Sequence, residues 1–227
     1  MHFKDGISLI EAFNGVYKRK SSKKLTELTA NDQKWQIWKW KRNDGHERHK
    51  SINQWEDYLQ IKSTFVTKDD FWRSYNEVNG FEFGLMTSHF NYFVFKEGIK
   101  PMWEDSANNM GGQWVMEFPG KEDWRKTSHL NEIWIKLLLD ITGINTNNGS
   151  LIEFINDING VALMFRHHFN KIAVWTQNSS DTVVNLKIGQ ALKSLTGFNG
   201  KMYYAKHNSR DNKIVIQKQK KTTDSFI

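Results

Sequence analysis

The sequence predicts an α+β fold, a curved antiparallel sheet of about eight strands with three helices packed on its convex back face. Strand-length segments alternate apolar and polar residues, starting with Trp35-Gln36-Ile37-Trp38-Lys39-Trp40. Many of them follow one another directly in sequence, as antiparallel strands do. Longer segments carry apolar residues at helical spacing instead. No internal repeat is visible.

Residues 1–30 read as a basic tail, with Lys18-Arg19-Lys20-Ser21-Ser22-Lys23-Lys24 at its centre. It is expected to be either a disordered leader or an arm that contacts RNA. Residues 31–227 are expected to form one domain. In the first strand Trp35, Ile37 and Lys39 share one face, and Gln36, Trp38 and Trp40 the other. A polar loop from Arg42 to Gln54 precedes a second strand, Tyr58 to Phe65. Thr67 should cap the first helix, with Asp69 and Asp70 at its positive end and Phe71, Trp72 and Tyr75 on its apolar side. Strands follow at Tyr92–Lys96 and Gln113–Phe118, separated by a loop held by Gly98 and Pro101. Leu130–Ile141 is an amphipathic helix with the stripe Ile133, Trp134, Leu137, Leu138 and Ile141, ended by Gly143. Gly160–Arg166 and Lys171–Thr176 form a hairpin. Ser180 should cap a third helix from Asp181 to Leu195. Strands at Met202–Ala205 and Lys213–Ile216 lead into a basic C-terminal tail.

Composition narrows the function classes. Lys and Arg total 32 against 25 Asp and Glu, a net charge of +7 that suits an anionic partner. There is no cysteine, which excludes disulfides and thiolate metal sites. Met1–Lys20 lacks the apolar core of a signal peptide, and no stretch reaches membrane-spanning length. A cytoplasmic protein without membrane association is expected, so the acceptor patterns at Asn148 and Asn178 carry no weight. His46 and His49 have metal-like spacing but no companion ligands, and no metal or cofactor is expected.

Ten tryptophans exceed what a core of this size needs. Trp103 sits in Pro101-Met102-Trp103-Glu104-Asp105, and Trp55 in Asn53-Gln54-Trp55-Glu56-Asp57, both among polar residues. Each is either a loop anchor folded onto the core or one wall of a stacking slot for a flat base. With His167-His168-Phe169-Asn170 as the turn, Arg166 and Lys171 would face each other across the hairpin. Opposed like charges are destabilising, so the pair is either solvated or an anion site. Trp175 lies on the Lys171 face.

Lys96-Glu97-Gly98-Ile99-Lys100-Pro101-Met102-Trp103-Glu104-Asp105, with Gly111-Gly112-Gln113-Trp114, resembles the signature loop of the translation initiation factor 4E family. Asp70–Asn76 resembles that family's first helix, and Lys171–Thr176 the strand after its phosphate-contacting Arg. The resemblance runs from Trp35 towards the C-terminus. It implies a non-enzymatic protein that binds the 7-methylguanosine 5′ cap of mRNA in translation initiation. Trp55 and Trp103 would sandwich the base, Glu104 would accept its ring N–H and amine, and Trp175 would contact the methyl group. Arg166 and Lys171 would hold the triphosphate. The family's third phosphate cation is His168 here, charged only at lower pH, and a basic residue after the glycine pair is Gln113. The long loop before Trp55 would close over the cap or the first nucleotides. Lys221 stands where the family often has a phosphorylatable Ser.

The resemblance also implies that the helical face receives a Tyr-x-x-x-x-Leu-Φ helix from a scaffold or repressor. Trp72, Ile135, Leu138 and Leu139 should form an exposed apolar patch there. Lys68 and Lys136 replace an apolar and an acidic residue of the family, so a partner with a non-standard charge pattern is expected. The family's His-Pro-Leu segment is absent near Thr29-Ala30-Asn31. Two alternatives accompany this reading: a cap-binding repressor or competitor that avoids the usual scaffold, and a cap-processing enzyme. The enzyme would need clustered carboxylates for Mg²⁺, for which Glu104-Asp105 is the acidic pair beside Trp103. A monomer is expected.

Overall fold

A computed structural model describes residues 32–41, 54–78, 90–119, 124–144, 149–166, 169–207 and 213–215. Its strands are β1 (Trp35–Lys41), β2 (Leu59–Phe65), β3 (Phe90–Lys96), β4 (Gly112–Pro119), β5 (Ile158–Phe165), β6 (Phe169–Thr176), β7 (Lys201–Lys206) and β8 (Lys213–Val215). They form one eight-stranded sheet in the order β2-β1-β3-β5-β6-β4-β7-β8. Every neighbouring pair is antiparallel. Register shifts at Ile37/Trp38 and Ile158/Gly160 interrupt the ladder, and such bulges bend a strand and increase its twist.

The helices are α1 (Gln54–Asp57), α2 (Lys68–Glu77), α3 (Trp124–Ile141) and α4 (Thr182–Thr196). The alternation along each strand sends one set of side chains towards the long helices. Trp35, Ile37, Val94, Trp114, Met116, Leu163, Ile172 and Val174 pack there with Phe71, Tyr75, Trp134, Leu137, Ile188 and Leu192 in the main core. The opposite face carries a smaller apolar cluster of Trp38, Phe93, Phe95, Val115, Ala162, Ala173, Trp175 and Tyr203. Helices on one face leave the other as a broad platform, which is where a ligand can approach.

Thr67 caps α2 as expected, its Oγ1 accepting from Asp70 N at 3.1 Å. Several boundaries differ from expectation. The cap of α4 is Asp181, which accepts from Val184 N at 3.0 Å, rather than Ser180, because a carboxylate is the better partner at a positive helix end. α3 begins at Trp124 rather than at the expected Leu130. The short α1 and a 3₁₀ turn at Ile152–Phe154 lie in segments too brief for a periodicity to register. Residues 1–31, the loop 42–53 and residues 216–227 lie outside the described residues, and with them the tail, His46, His49 and Lys221.

The back-face patch differs more. Leu138 is fully buried, Leu139 is 6% exposed and Ile135 is 9% exposed, all within the main core. The cause is the width of the apolar sector: Leu130, Ile133, Trp134, Ile135, Leu137, Leu138, Leu139 and Ile141 cover most of the helix circumference, and a helix of that kind is buried. Its outer side presents Glu132 and Lys136, paired at 2.8 Å. Trp72 is partly exposed, edge-on to Phe71 and Tyr75.

Candidate functional site

The platform is bordered by the loop between β3 and β4. Gly98 opens it with a φ of +86°, a backbone region that glycine adopts without steric cost. Gly111 and Gly112 close it where a Cβ would strike the Thr176 carbonyl at 2.0 Å and the Tyr204 hydroxyl at 2.5 Å. Two side chains fix the course between them. The Asp105 carboxylate accepts from Lys100 N and Ala107 N, both at 2.9 Å. Asn108, fully buried, donates to the Lys100 carbonyl at 2.8 Å and the Met102 carbonyl at 2.9 Å, and its Oδ1 accepts from buried Asn159 at 3.0 Å. The loop is therefore a braced structure, not a loose excursion.

Trp103 projects from this brace with 53% of its surface exposed, beside exposed Glu104. A large indole left in water on a fixed backbone is not a core anchor, so the loop-anchor alternative fails for Trp103. Asp105, by contrast, is consumed by the loop itself. Lys100 Nζ forms an ion pair with Glu56 of α1, the residue after Trp55. The Trp55 side chain lies outside the described residues, although its backbone belongs to α1.

Trp175 is 7% exposed on the platform floor, edge-on to Phe95 at 5.3 Å and 4.3 Å from the His207 ring. Gln113 is its register partner on β4. His207 Nδ1 lies 2.8 Å from the Asn108 carbonyl, and a carbonyl only accepts, so Nδ1 carries the proton. Burial lowers the pKa of this imidazole, against a smaller opposite effect of the Asn108 carbonyl. Three buried polar atoms in this corner have no hydrogen-bond partner: Trp175 Nε1, Gln113 Oε1 and His207 Nε2. Such groups are costly inside a protein.

The far end of the platform is cationic, but not as the hairpin pattern suggested. Lys171 pairs with Met164, not with Arg166, because Phe169 and Asn170 continue β6 and shorten the turn. Arg166 stands beyond the end of β5, its guanidinium donating to Asn91 Oδ1 at 2.9 Å and to the Phe165 carbonyl at 3.0 Å. The two cations are therefore not directly opposed across the hairpin. Lys171 lies 3.5 Å from Glu117, which also accepts from Lys201 at 2.8 Å and Tyr203 at 2.9 Å. Burial raises the Glu117 pKa, but the hydrogen bonds from Lys201 and Tyr203 and the Lys171 charge outweigh it, and the net shift is downward. The Tyr203 hydroxyl is pushed up to about 12 by burial and by Glu117. His168 lies outside the described residues.

The fold thus gathers Trp175, Gln113, Lys171 and Arg166 on one face, with Trp103 and Glu104 at its border. Sequence reasoning missed Asn91, Asn108, Asn159, Glu117 and His207, polar residues whose roles exist only through partners distant in the chain. Among the described residues, no group of three His, Asp or Glu side chains could hold a metal ion, and no helix is long and apolar enough to cross a membrane.

The sequence model of the family described as eukaryotic initiation factor 4E matches residues 31–223. Eukaryotic translation initiation factor 4E-3 of Caenorhabditis elegans is 36% identical over 160 residues, 70% of this chain and 58% of that protein. The match thus spans little more than half of that relative. Human eukaryotic translation initiation factor 4E is 30% identical over 164 residues, 72% of this chain and 68% of that protein. Among solved structures, Ascaris suum eIF4E-3 in complex with an m7G cap superposes with a TM-score of 0.70 at 30% identity, covering 86% of this chain and 100% of that one. C. elegans eIF4E-3 with the 4E-binding protein Mextli gives 0.69 at 32% identity, covering 81% and 94%.

Proposed function

The chain belongs to the eukaryotic initiation factor 4E family, and on that premise we propose that it binds the 7-methylguanosine cap of mRNA and acts in translation initiation. The observation that carries this reading is Trp103: a half-exposed indole held on a braced loop beside the exposed Glu104 carboxylate. Trp55 and Trp103 stack on the two faces of the base. The methylated ring is cationic, so each indole contributes cation–π attraction besides stacking, together about 1–3 kcal/mol per face. Glu104 accepts the ring N–H and the exocyclic amine with its two oxygens. Trp175 faces the methyl group. Arg166 and Lys171 receive the phosphates, with His168 and Gln113 as weaker contributors.

Arg166 is supported for that role by its holder. Asn91 is a neutral amide, so the guanidinium is oriented without being neutralised. Lys171 shares Glu117 with Lys201, which weakens its claim on a phosphate. The protein works by binding and performs no bond-breaking step. Asp105, the second acid of the pair beside the slot, is tied to the loop backbone and could not hold Mg²⁺ without dismantling the brace. We assign it to the cytoplasm, as a monomer.

The helical face is the place for a scaffold or repressor protein. With Ile135, Leu138 and Leu139 buried, the accessible residues of the expected patch are Trp72, Lys68 and Lys136, all partly exposed. The Lys136 charge is already shared with Glu132, and a basic partner helix meets a lysine at positions 68 and 136. Retention on 7-methyl-GTP resin, competed by 7-methyl-GTP and not by GTP, tests the function. Failure to be retained contradicts it.

A further inference from the structure

We propose that the Glu56–Lys100 ion pair is a clasp across the mouth of the slot, a positioning pair that sets the spacing between the two segments that sandwich the base. The inference rests on the cap-binding reading. α1 is only four residues long, and a helix of that length has little stability of its own. Glu56 follows Trp55 directly, so whatever fixes Glu56 fixes the backbone from which that indole springs. Lys100 lies three positions before Trp103 and 44 residues from Glu56 in the chain. Its backbone is fully anchored: the N–H donates to Asp105 at 2.9 Å, and the carbonyl accepts from Asn108 at 2.8 Å and Met102 N at 2.7 Å. The ammonium therefore hangs from the same brace that carries Trp103, and Glu56 ties α1 to it. Both side chains are about half exposed, so the tie is open to salt. The hydrogen bond that Lys100 donates to Glu56 raises the Lys100 pKa, so the ammonium is charged at neutral pH. A slot whose walls are already set apart loses less freedom when the base enters.

The test uses Lys100→Ala, Glu56→Ala and the swap Glu56→Lys with Lys100→Glu. Binding is read by tryptophan fluorescence with 7-methylguanosine, which has no phosphates to confuse the salt dependence. Each single change should weaken binding about two- to fivefold at low ionic strength. The swap should return affinity to within about twofold of the unchanged protein, and the differences should vanish near 1 M salt. Plain attraction of the cationic base predicts otherwise: losing Lys100 would tighten binding, losing Glu56 would weaken it, and the swap would rescue nothing. That pattern, or four equal affinities, overturns the clasp alone. An unchanged protein that binds no methylated nucleoside overturns the cap reading and the clasp with it.

Discussion

Replacing Asn108 with Ala removes three hydrogen bonds from a fully buried site, two donated to the Lys100 and Met102 carbonyls and one accepted from Asn159. At about 1 kcal/mol of net stabilisation each, the loss is about 3 kcal/mol. Asn159 keeps its bond to the Ala107 carbonyl at 2.7 Å, which limits the damage on its side, whereas the two loop carbonyls are left without that donor. For a chain of this length 1 kcal/mol moves Tm by about 2–4 °C, so calorimetry should show a fall of about 6–12 °C. The slot should suffer beyond the stability loss, because both released carbonyls lie within three residues of Trp103. Titration with 7-methyl-GTP well below the lowered Tm should show at least a tenfold loss. Asn108→Asp should be as damaging, since a carboxylate would face two carbonyl oxygens. A variant with native Tm and native affinity would refute the claim that this side chain organises the loop.

Trp103→Ala should abolish retention on cap resin with Tm changed by no more than a degree or two, because the indole is half solvated and its loop is braced by other side chains. Arg166→Ala should weaken 7-methyl-GTP far more than 7-methylguanosine; equal losses in a paired titration would place it away from the phosphates. Glu117→Gln should tighten triphosphate binding about two- to threefold by releasing Lys171 and Lys201, with no effect on the nucleoside. The folded Glu117 pKa lies below its ordinary 4.5, so its contribution to stability is complete above that value and lost as pH falls through the folded value. Unfolding followed from pH 5 to 3 should therefore have a shallower pH dependence in Glu117→Gln, and an unchanged slope would remove the carboxylate from the acid response.

The period-two pattern located the strands, since each platform or core residue repeats every second position and the chain carries that information locally. The loop Lys96–Asp105 was legible for a different reason: Trp, Pro and Gly at fixed offsets are rare enough to be distinctive. What escaped was set by distance. Asn108 reads as one more polar loop residue until Asn159 and His207 come to it from remote parts of the chain, and Asn91 is an ordinary strand Asn until Arg166 arrives. The hairpin error arose because Phe169 and Asn170 were counted as turn when the sheet takes them as strand. Two residues of slip were enough to move Lys171 from Arg166 to Met164. The buried helix face was misjudged because an apolar sector wider than one stripe says that a helix is covered, not which side is left for a partner.

The central claim is that the slot reads the methylated base, and the affinity ratio of 7-methyl-GTP to GTP measures it most directly. Removing the methyl group removes the positive charge of the ring and with it the cation–π contribution of both indoles, while phosphates and ring shape stay the same. The GTP complex should be at least tenfold weaker, about 1.4 kcal/mol or more. Glu104→Gln should weaken both complexes, because the ring N–H and exocyclic amine that the carboxylate accepts from are present in both nucleotides. Equal affinity for the two nucleotides would contradict the account.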